Sequence, residues 1–225
     1  MIPTYAMIMP VRNADKYLEE TLKSVYAQTL PATEIFVVDE FSSDQTIEIV
    51  ESFGEPITLI KNFVGGMAGA FNLAIPQVKS SYITFLDGDD LWLPEKSEKQ
   101  IRFLEDHQDL DAVCCAVLNF SKNSSEGESY SSAREFAPSR LFTASTFRRE
   151  TFAKFGMPDT SAGHFGWLYD WWSKADDAGI RYGTMDEVLL HRRIHDSNSW
   201  VKNKDLGNKT LIDIARRNIK RRSHD

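Results

Sequence analysis

Tyr82-Ile83-Thr84-Phe85-Leu86-Asp87-Gly88-Asp89-Asp90 is an apolar run that breaks into three carboxylates within four residues. A run of this length and composition reads as a buried strand, so the acids fall at its carboxyl end. In a chain with a formal net charge of −7, carboxylates crowded around a glycine repel one another unless a cation offsets them. Oxygen ligands suit a hard divalent ion such as Mg²⁺ or Mn²⁺, which also bridges to phosphate oxygens. The stretch therefore predicts a metal and diphosphate site. Its other reading is an acidic turn that caps the following helix, because Asp favours loops and N-caps. Residue types alone leave both open.

Working outward, the chain before this stretch alternates strand and helix. Residues 5–11 read as a buried strand, followed by Leu18, Leu22 and Val25 at helical spacing with Asn13 as an N-cap. Residues 34–39 repeat the strand signal, and Ser42 with Gln45 resembles a capping box opening a helix over 44–53. A third strand over 57–61, the break at Gly65-Gly66 and a helix over 67–78 lead into the acidic stretch. This alternation predicts an α/β fold with a mostly parallel central sheet, helices on both faces and ligands outside the carboxyl ends of the strands. Asp39 and Asp87 both fall at such ends. A helix over 94–106, with proline in its first turn, and a fifth strand over 112–118 complete this half.

The remainder is organised differently. Residues 119–134 are rich in Ser, Asn, Glu and Gly and read as a mobile loop. Short helices follow over 148–155 and 166–178, then a strand over 188–194 and a basic helix over 205–222. In that last helix Leu211, Ile212, Ala215 and Ile219 define one apolar face, which argues for a docked helix. Its cluster of Arg216, Arg217, Lys220, Arg221 and Arg222 is left to water, a partner or peripheral contact with an anionic membrane. The expected division is a single domain over 1–225: a nucleotide-binding half over 1–118, a flexible loop over 119–140, an acceptor half over 141–204 and the basic helix over 205–225.

At 225 residues, 42% hydrophobic and 26% charged, the chain has the composition of a soluble globular protein. It carries no run long enough to span a membrane and no signal-peptide pattern at residues 1–10, so the expected location is cytoplasmic. Its two cysteines, Cys114 and Cys115, are adjacent in a strand and point to opposite faces, which disfavours a mutual disulfide. Two cysteines also exclude a zinc site built from CxxC pairs, and an acidic chain argues against nucleic-acid binding.

The N-terminal half contains, in order, Pro10-Val11-Arg12-Asn13, Leu18-Glu19-Glu20-Thr21-Leu22, Ala27-Gln28-Thr29, Val37-Val38-Asp39-Glu40, Ser42-Ser43-Asp44, Gly65-Gly66, Asn72-Leu73-Ala74-Ile75, the DXD-type stretch at 85–92 and Pro94-Glu95-Lys96. With these elements it resembles family 2 glycosyltransferases. Many separate elements match in order over roughly the first 105 residues, which is more specific than one acidic triplet. The resemblance implies the A-type glycosyltransferase fold, with a Rossmann-like N-terminal half and a hexosyl transfer from a UDP-, dTDP- or GDP-sugar to a sugar, lipid or peptide acceptor. It implies Pro10, Val11, Arg12, Asp39, Gly66, Asp87 and Gly88 as nucleotide-sugar contacts, and Asp87, Asp89 and His195 as ligands of Mn²⁺ or Mg²⁺. His195 enters because His191-Arg192-Arg193-Ile194-His195 is similar to the family's Tyr-Arg-Ile-His segment, where Arg192 or Arg193 would reach phosphate. His164 lies in a segment, 160–166, that would close over the donor.

The chain departs from the family pattern at several places. Arg12 stands where the pattern has Tyr, Glu40 where it has a second Asp, and Phe71 where an Arg precedes the third-helix Asn. In the acceptor half the pattern Glu-Asp-Tyr-Asp-Leu-Trp-Leu-Arg becomes Trp167-Leu168-Tyr169-Asp170-Trp171-Trp172-Ser173-Lys174, so Asp170 is left as the candidate base of an inverting transfer, which needs a carboxylate within reach of the acceptor. Helical spacing puts Trp167, Asp170, Trp171 and Lys174 on one face and assigns Leu168, Trp172 and Ala175 to the core. The competing readings of the chain are a nucleotide-sugar-binding or scaffold protein that kept the fold without catalysis, an aspartyl-nucleophile phosphatase, whose acidic motif normally follows the first strand, and a nucleotidyltransferase, which would want a Gly-rich loop after that strand.

Overall fold

A computed structural model describes residues 3–63, 65–121, 134–136, 138–163 and 166–196, together with residues 212, 216 and 217. The described elements are strand β1 (Tyr5–Val11), helix α1 (Asp15–Tyr26), β2 (Glu34–Asp39), α2 (Thr46–Phe53), β3 (Ile57–Lys61), α3 (Gly66–Ala74), β4 (Tyr82–Phe85), β5 (Leu91–Trp92), α4 (Lys96–Asp106), β6 (Ala112–Phe120), β7 (Arg134–Phe136), β8 (Ser145–Arg148), α5 (Glu150–Phe155), α6 (Trp167–Asp177) and β9 (Tyr182–Arg193). They form one mixed sheet in the order β3-β2-β1-β4-β8-β6-β9-β5, with β7 paired to β6.

Strands β3, β2, β1 and β4 are mutually parallel, and Val11 lies opposite Asp39 in the register. Beyond β4 the sheet changes character. The expectation of a mostly parallel sheet holds for this first block, whereas β8 runs antiparallel to both β4 and β6, β5 runs antiparallel to β9, and β6 pairs parallel with β9. The reason lies in the connections. Helical crossovers return the chain in the same direction, while the short α5 and the segment after β6 reverse it.

Helices cover both faces, as expected. On one face α1, α2 and α4 bury Leu18, Leu22, Val25, Val50, Ile101 and Leu104 against β1, β2 and β6. On the other, α3, α5 and α6 enclose an aromatic cluster of Phe71, Phe85, Phe142, Phe147, Phe152, Trp167, Trp171 and Trp172. Edge-to-face pairs recur within it, such as Phe142 to Trp171 at 5.1 Å and 90° and Phe71 to Phe85 at 4.7 Å and 66°. Each such pair adds about 0.5–1.5 kcal/mol to the burial of its rings. Cys114 and Cys115 are buried free thiols that belong to opposite cores, in keeping with the alternation of a strand.

Several local expectations are corrected. Asn13 is not the N-cap of α1: Ala14 holds that position, and Asn13 adopts a φ of 49° with its side-chain oxygen accepting the Ser43 N–H. Ser42 and Gln45 do not form a capping box. Asp44 takes over instead, its Oδ1 accepting from both the N–H and the hydroxyl of Thr46. The expected face of α6 is also redrawn, since Trp167, Asp170, Trp171, Trp172 and Ala175 are all buried and the large exposed side chain is Tyr169. The tryptophans are packing, because the buried side of α6 runs continuously from Asp170 through Trp167, Trp171 and Ala175 to Trp172. The expected loop over 119–140 begins later than foreseen, since β6 runs through Phe120, and Arg134–Phe136 returns to pair with it. Residues 122–133, His164 and nearly all of the basic segment over 205–225 lie outside the described residues.

Candidate nucleotide-sugar and metal site

The site is built where the parallel strands end. Backbone bonds lace these ends together: Glu40 N–H donates to the Val11 carbonyl at 2.9 Å, Asn62 N–H to the Asp39 carbonyl at 2.8 Å, and Leu86 N–H to the Ile8 carbonyl at 3.2 Å. Pro10 and Val11 thereby sit between the Asp39 end and the acidic loop, with Val11 buried and Arg12 exposed. Asp39 is buried, and both carboxylate oxygens accept the Ser42 N–H at 3.3 Å. Gly65 and Gly66 are more than a turn. At φ +80° and +74° they bend the chain into α3, and the Gly66 N–H donates to the Glu40 carboxylate at 2.6 Å. Glycine enters this backbone region without the steric cost other residues meet. Glu40, Gly66 and Met67 line one side of a cleft of about 320 Å³, and Thr160, Gly163 and Trp167 line the other.

Gly88 lets the acidic loop lie down on β1 and α1. A Cβ there would come within 3.1 Å of Val11 Cγ1 and 3.4 Å of Ala14 Cβ, and the Gly88 carbonyl accepts the Thr21 hydroxyl at 3.2 Å. Held in this way, Asp87, Asp89 and Asp90 bring one oxygen each within 4.8 Å of one another. Asp90 is buried, and its Oδ2 has no hydrogen-bond partner among the described residues. Burial first, then the neighbouring Asp89 charge, push the Asp87 carboxyl up to about 7, with Arg192 pulling the other way. Burial and both neighbouring acids drive the Asp90 carboxyl well above the usual range. Three mutually repelling carboxylates with an orphaned oxygen are a donor set suited to a hard divalent cation.

His195, expected as a third ligand, is brought to the same place. Its Nε2 lies 2.9 Å from Asp89 Oδ2, and its ring packs on Tyr17 at 4.7 Å. Arg193, one of the two arginines expected to reach phosphate, turns inward instead. Its N–H donates to Asp90 Oδ1, its Nε to the Asp89 carbonyl and its Nη2 to Glu20, each at 2.8 Å. The guanidinium lies between the rings of Tyr17 and Phe120, 4.7 Å from each. It is a positioning residue for the acidic loop, since rigid bidentate donors orient the groups they bind. Glu20 stands inside the Leu-Glu-Glu-Thr-Leu motif, but its role was not legible because its partner is far away in sequence.

Asp170 lies in the first turn of α6, with a side chain only 6% exposed, and Lys174 Nζ approaches its Oδ2 at 2.6 Å. Lys174 also reaches Asp159 at 3.3 Å. Burial pulls the lysine pKa down, but the two carboxylates outweigh it and hold it above its ordinary value. The departures from the family pattern prove to be neighbours. Phe71 and Trp167 meet edge to face at 5.1 Å and 70°, one turn of α6 from Asp170.

A parallel block of strands that gathers acids at its ends, with helices on both faces, is the arrangement of an α/β fold whose ligands bind outside those ends. Its more particular class follows from sequence. The model of glycosyl transferase family 2 matches residues 6–172, and the chain belongs to that family. A glycosyltransferase of Rickettsia typhi is 37% identical over 114 residues, 50% of this chain and 36% of that protein. The chain thus spans well under half the length of such curated relatives. Among solved structures, the mannosyltransferase PcManGT from Pyrobaculum calidifontis, in complex with GDP-Man and Mn²⁺, superposes with a TM-score of 0.72 at 20% identity, covering 96% of this chain and 64% of that one. S. aureus TarS in complex with UDP-GlcNAc superposes with a TM-score of 0.68 at 22% identity, covering 87% and 60%. At such identities these structures establish the A-type glycosyltransferase fold. Among the described residues no helix is long and apolar enough to cross a membrane.

Proposed function

We propose that the chain binds a nucleotide-activated sugar across the ends of β1, β2 and β4 and transfers the sugar, with inversion, to an acceptor held on the α6 side. The observation that carries this reading is the clustering of Asp87, Asp89 and Asp90, with His195 against Asp89, beside the strand ends that hold Pro10, Val11 and Asp39. Asp39 offers a buried carboxylate to N–H donors of a base, and the Gly66 turn, where a Cβ would meet nothing within 4 Å, leaves room for the nucleotide to approach the backbone. Asp87 and Asp89, with His195 and the unpartnered oxygen of Asp90, fit Mn²⁺ or Mg²⁺. Such an ion would offset the charge of the departing nucleoside diphosphate. The complexes of PcManGT and TarS support GDP- and UDP-sugars as the class of donor.

Asp170 is the proposed base. Lys174 keeps the carboxylate ionised beforehand, and to accept the acceptor's proton an Asp170 oxygen must turn from the lysine to the acceptor hydroxyl, which leaves the carboxyl neutral once the proton has moved. A second reading, a nucleotide-sugar-binding protein without turnover, is favoured by the packed Phe71–Trp167 pair, which occupies positions that are charged in the family pattern. Calorimetric titration with UDP, dTDP and GDP, with and without Mn²⁺, followed by a donor hydrolysis assay, separates the two. Metal-dependent binding with turnover supports the transferase, binding without turnover supports the second reading, and failure to bind any of the three nucleotides with Mn²⁺ refutes both.

A further inference from the structure

Beside Asp39 stand two phenylalanines that the fold itself does not need. Phe41, two residues past β2, has a φ of +56°, a region that bulky L-residues enter only against a steric cost and that is over-represented at functional sites. Its side chain is 58% exposed, and Phe63, two residues past β3, is 75% exposed. The two rings meet nearly edge to face, with centroids 5.9 Å apart and planes at 68°. A strained backbone that presents a large apolar ring to water loses free energy twice, once in the backbone and once in unburied surface. Among the described residues the two rings pack on each other and still leave most of their surface to water, so a ligand is the natural source of further compensation.

Their surroundings specify that ligand. Both rings extend from strand ends joined by the Asn62 to Asp39 backbone bond, and Asp39 between them is a hydrogen-bond acceptor. Exposed Arg12 carries its guanidinium 3.9 Å from Glu40 on the same rim. The family pattern has an aromatic residue at position 12, after β1. In this chain that ring is absent, and rings follow β2 and β3 instead. A flat π-face with N–H donors on its edge and an anionic tail matches all three features, because stacking, carboxylate acceptance and cationic attraction then act on one molecule.

We propose that Phe41 and Phe63 form the wall on which the base of a nucleoside diphosphate stacks. This rests on the donor reading above. The test is calorimetry in the presence of Mn²⁺ with UDP, GDP and, as a base-free probe, inorganic pyrophosphate, on wild type, Phe41→Gly, Phe63→Ala and the double variant. The double variant should lose about tenfold or more in affinity for UDP and GDP, the scale of base–aromatic stacking, while pyrophosphate affinity is unchanged. Phe41→Gly should lose nucleotide affinity while keeping or raising the melting temperature, because glycine is at ease at that φ. Undiminished UDP and GDP binding by the double variant overturns the wall and leaves the donor reading standing. An equal loss of pyrophosphate affinity overturns it too, since the effect would not be on the base. A dimer that dissociates on double substitution with nucleotide affinity unchanged would assign the rings to a second copy of the chain. Absence of nucleotide binding by wild type removes the wall and the donor reading together.

Discussion

The two sides of this molecule treat charge in opposite ways. On the β1–β4 side carboxylates are gathered and left incompletely compensated: Asp87, Asp89 and Asp90 share a small volume, and one buried oxygen has no partner among the described residues. On the α6 side the buried acid Asp170 is paired with Lys174 and flanked by packed rings. Phe71 comes from the first side and Trp167 from the second, and both replace residues that are charged in the family pattern. Because they touch, they amount to one change, the exchange of a polar pair for an aromatic one. A polar donor side has thus been retained against an acceptor side whose nearest wall has become apolar.

The strongest way to break this contrast is at the acids. Asp87→Asn with Asp89→Asn should lower affinity for Mn²⁺ and for UDP with Mn²⁺ by more than about 100-fold, beyond the loss typical of outer-shell partners, as read by calorimetry. Unchanged affinity would mean that the cluster is only an acidic turn. Asp170→Asn addresses the other side. It should lower transfer by about 10²–10⁴-fold, the usual worth of a general base, with nucleotide affinity preserved. Undiminished turnover would remove Asp170 from the mechanism.

Packing tests sharpen the contrast further. Trp167→Glu alone should lower stability by about 3–5 kcal/mol, as removal of a large buried ring does, and denaturant melts should show part of that recovered when Phe71→Arg is added. Full additivity of the two losses would show that the positions are not coupled.

The smallest effect concerns Lys96, which is fully buried with its Nζ near Thr84 Oγ1 and Gln100 Oε1 and over the Trp92 ring. Burial lowers its pKa to about 8, against weaker opposing effects of Cys115 and Cys114. Between pH 8 and 10.5 the unfolded chain therefore binds more protons at this site than the folded one. This group's penalty is full below pH 8 and fades as pH rises. Lys96→Met should stabilise by about 1–3 kcal/mol at neutral pH, and the gain over wild type should shrink as thermal melts are repeated from pH 8 to 10. The buried thiols act in the opposite sense above pH 9 in both proteins, so the difference between the two isolates the lysine.

The donor side was legible because its signals are local. Apolar runs at 5–11, 34–39 and 82–86 specify strands by themselves, and Asp39 and Asp87 follow directly from where those runs stop. His195 beside Asp89 was within reach through the family pattern. The acceptor side resisted because burial there is a property of the assembled core. Trp167 and Trp171 read as sharing a face with Asp170 and Lys174 until the rings of Phe142 and Phe147 close over them. Lys96 gives no sign of burial, since lysine is ordinarily solvated, and Arg193 looks like any arginine until Glu20 arrives to meet it.

That meeting sets an order of events. Glu20 and Arg193 are separated by 173 residues, and the same arginine fixes Asp90 and the Asp89 carbonyl. Strands β1 to β4 can pair once residue 85 has left the ribosome, yet the acid loop gains its brace only when β9 has been synthesised and inserted. Contacts of such sequence separation form late. A growing or truncated polypeptide would therefore possess the parallel block of the sheet before its acidic loop is braced.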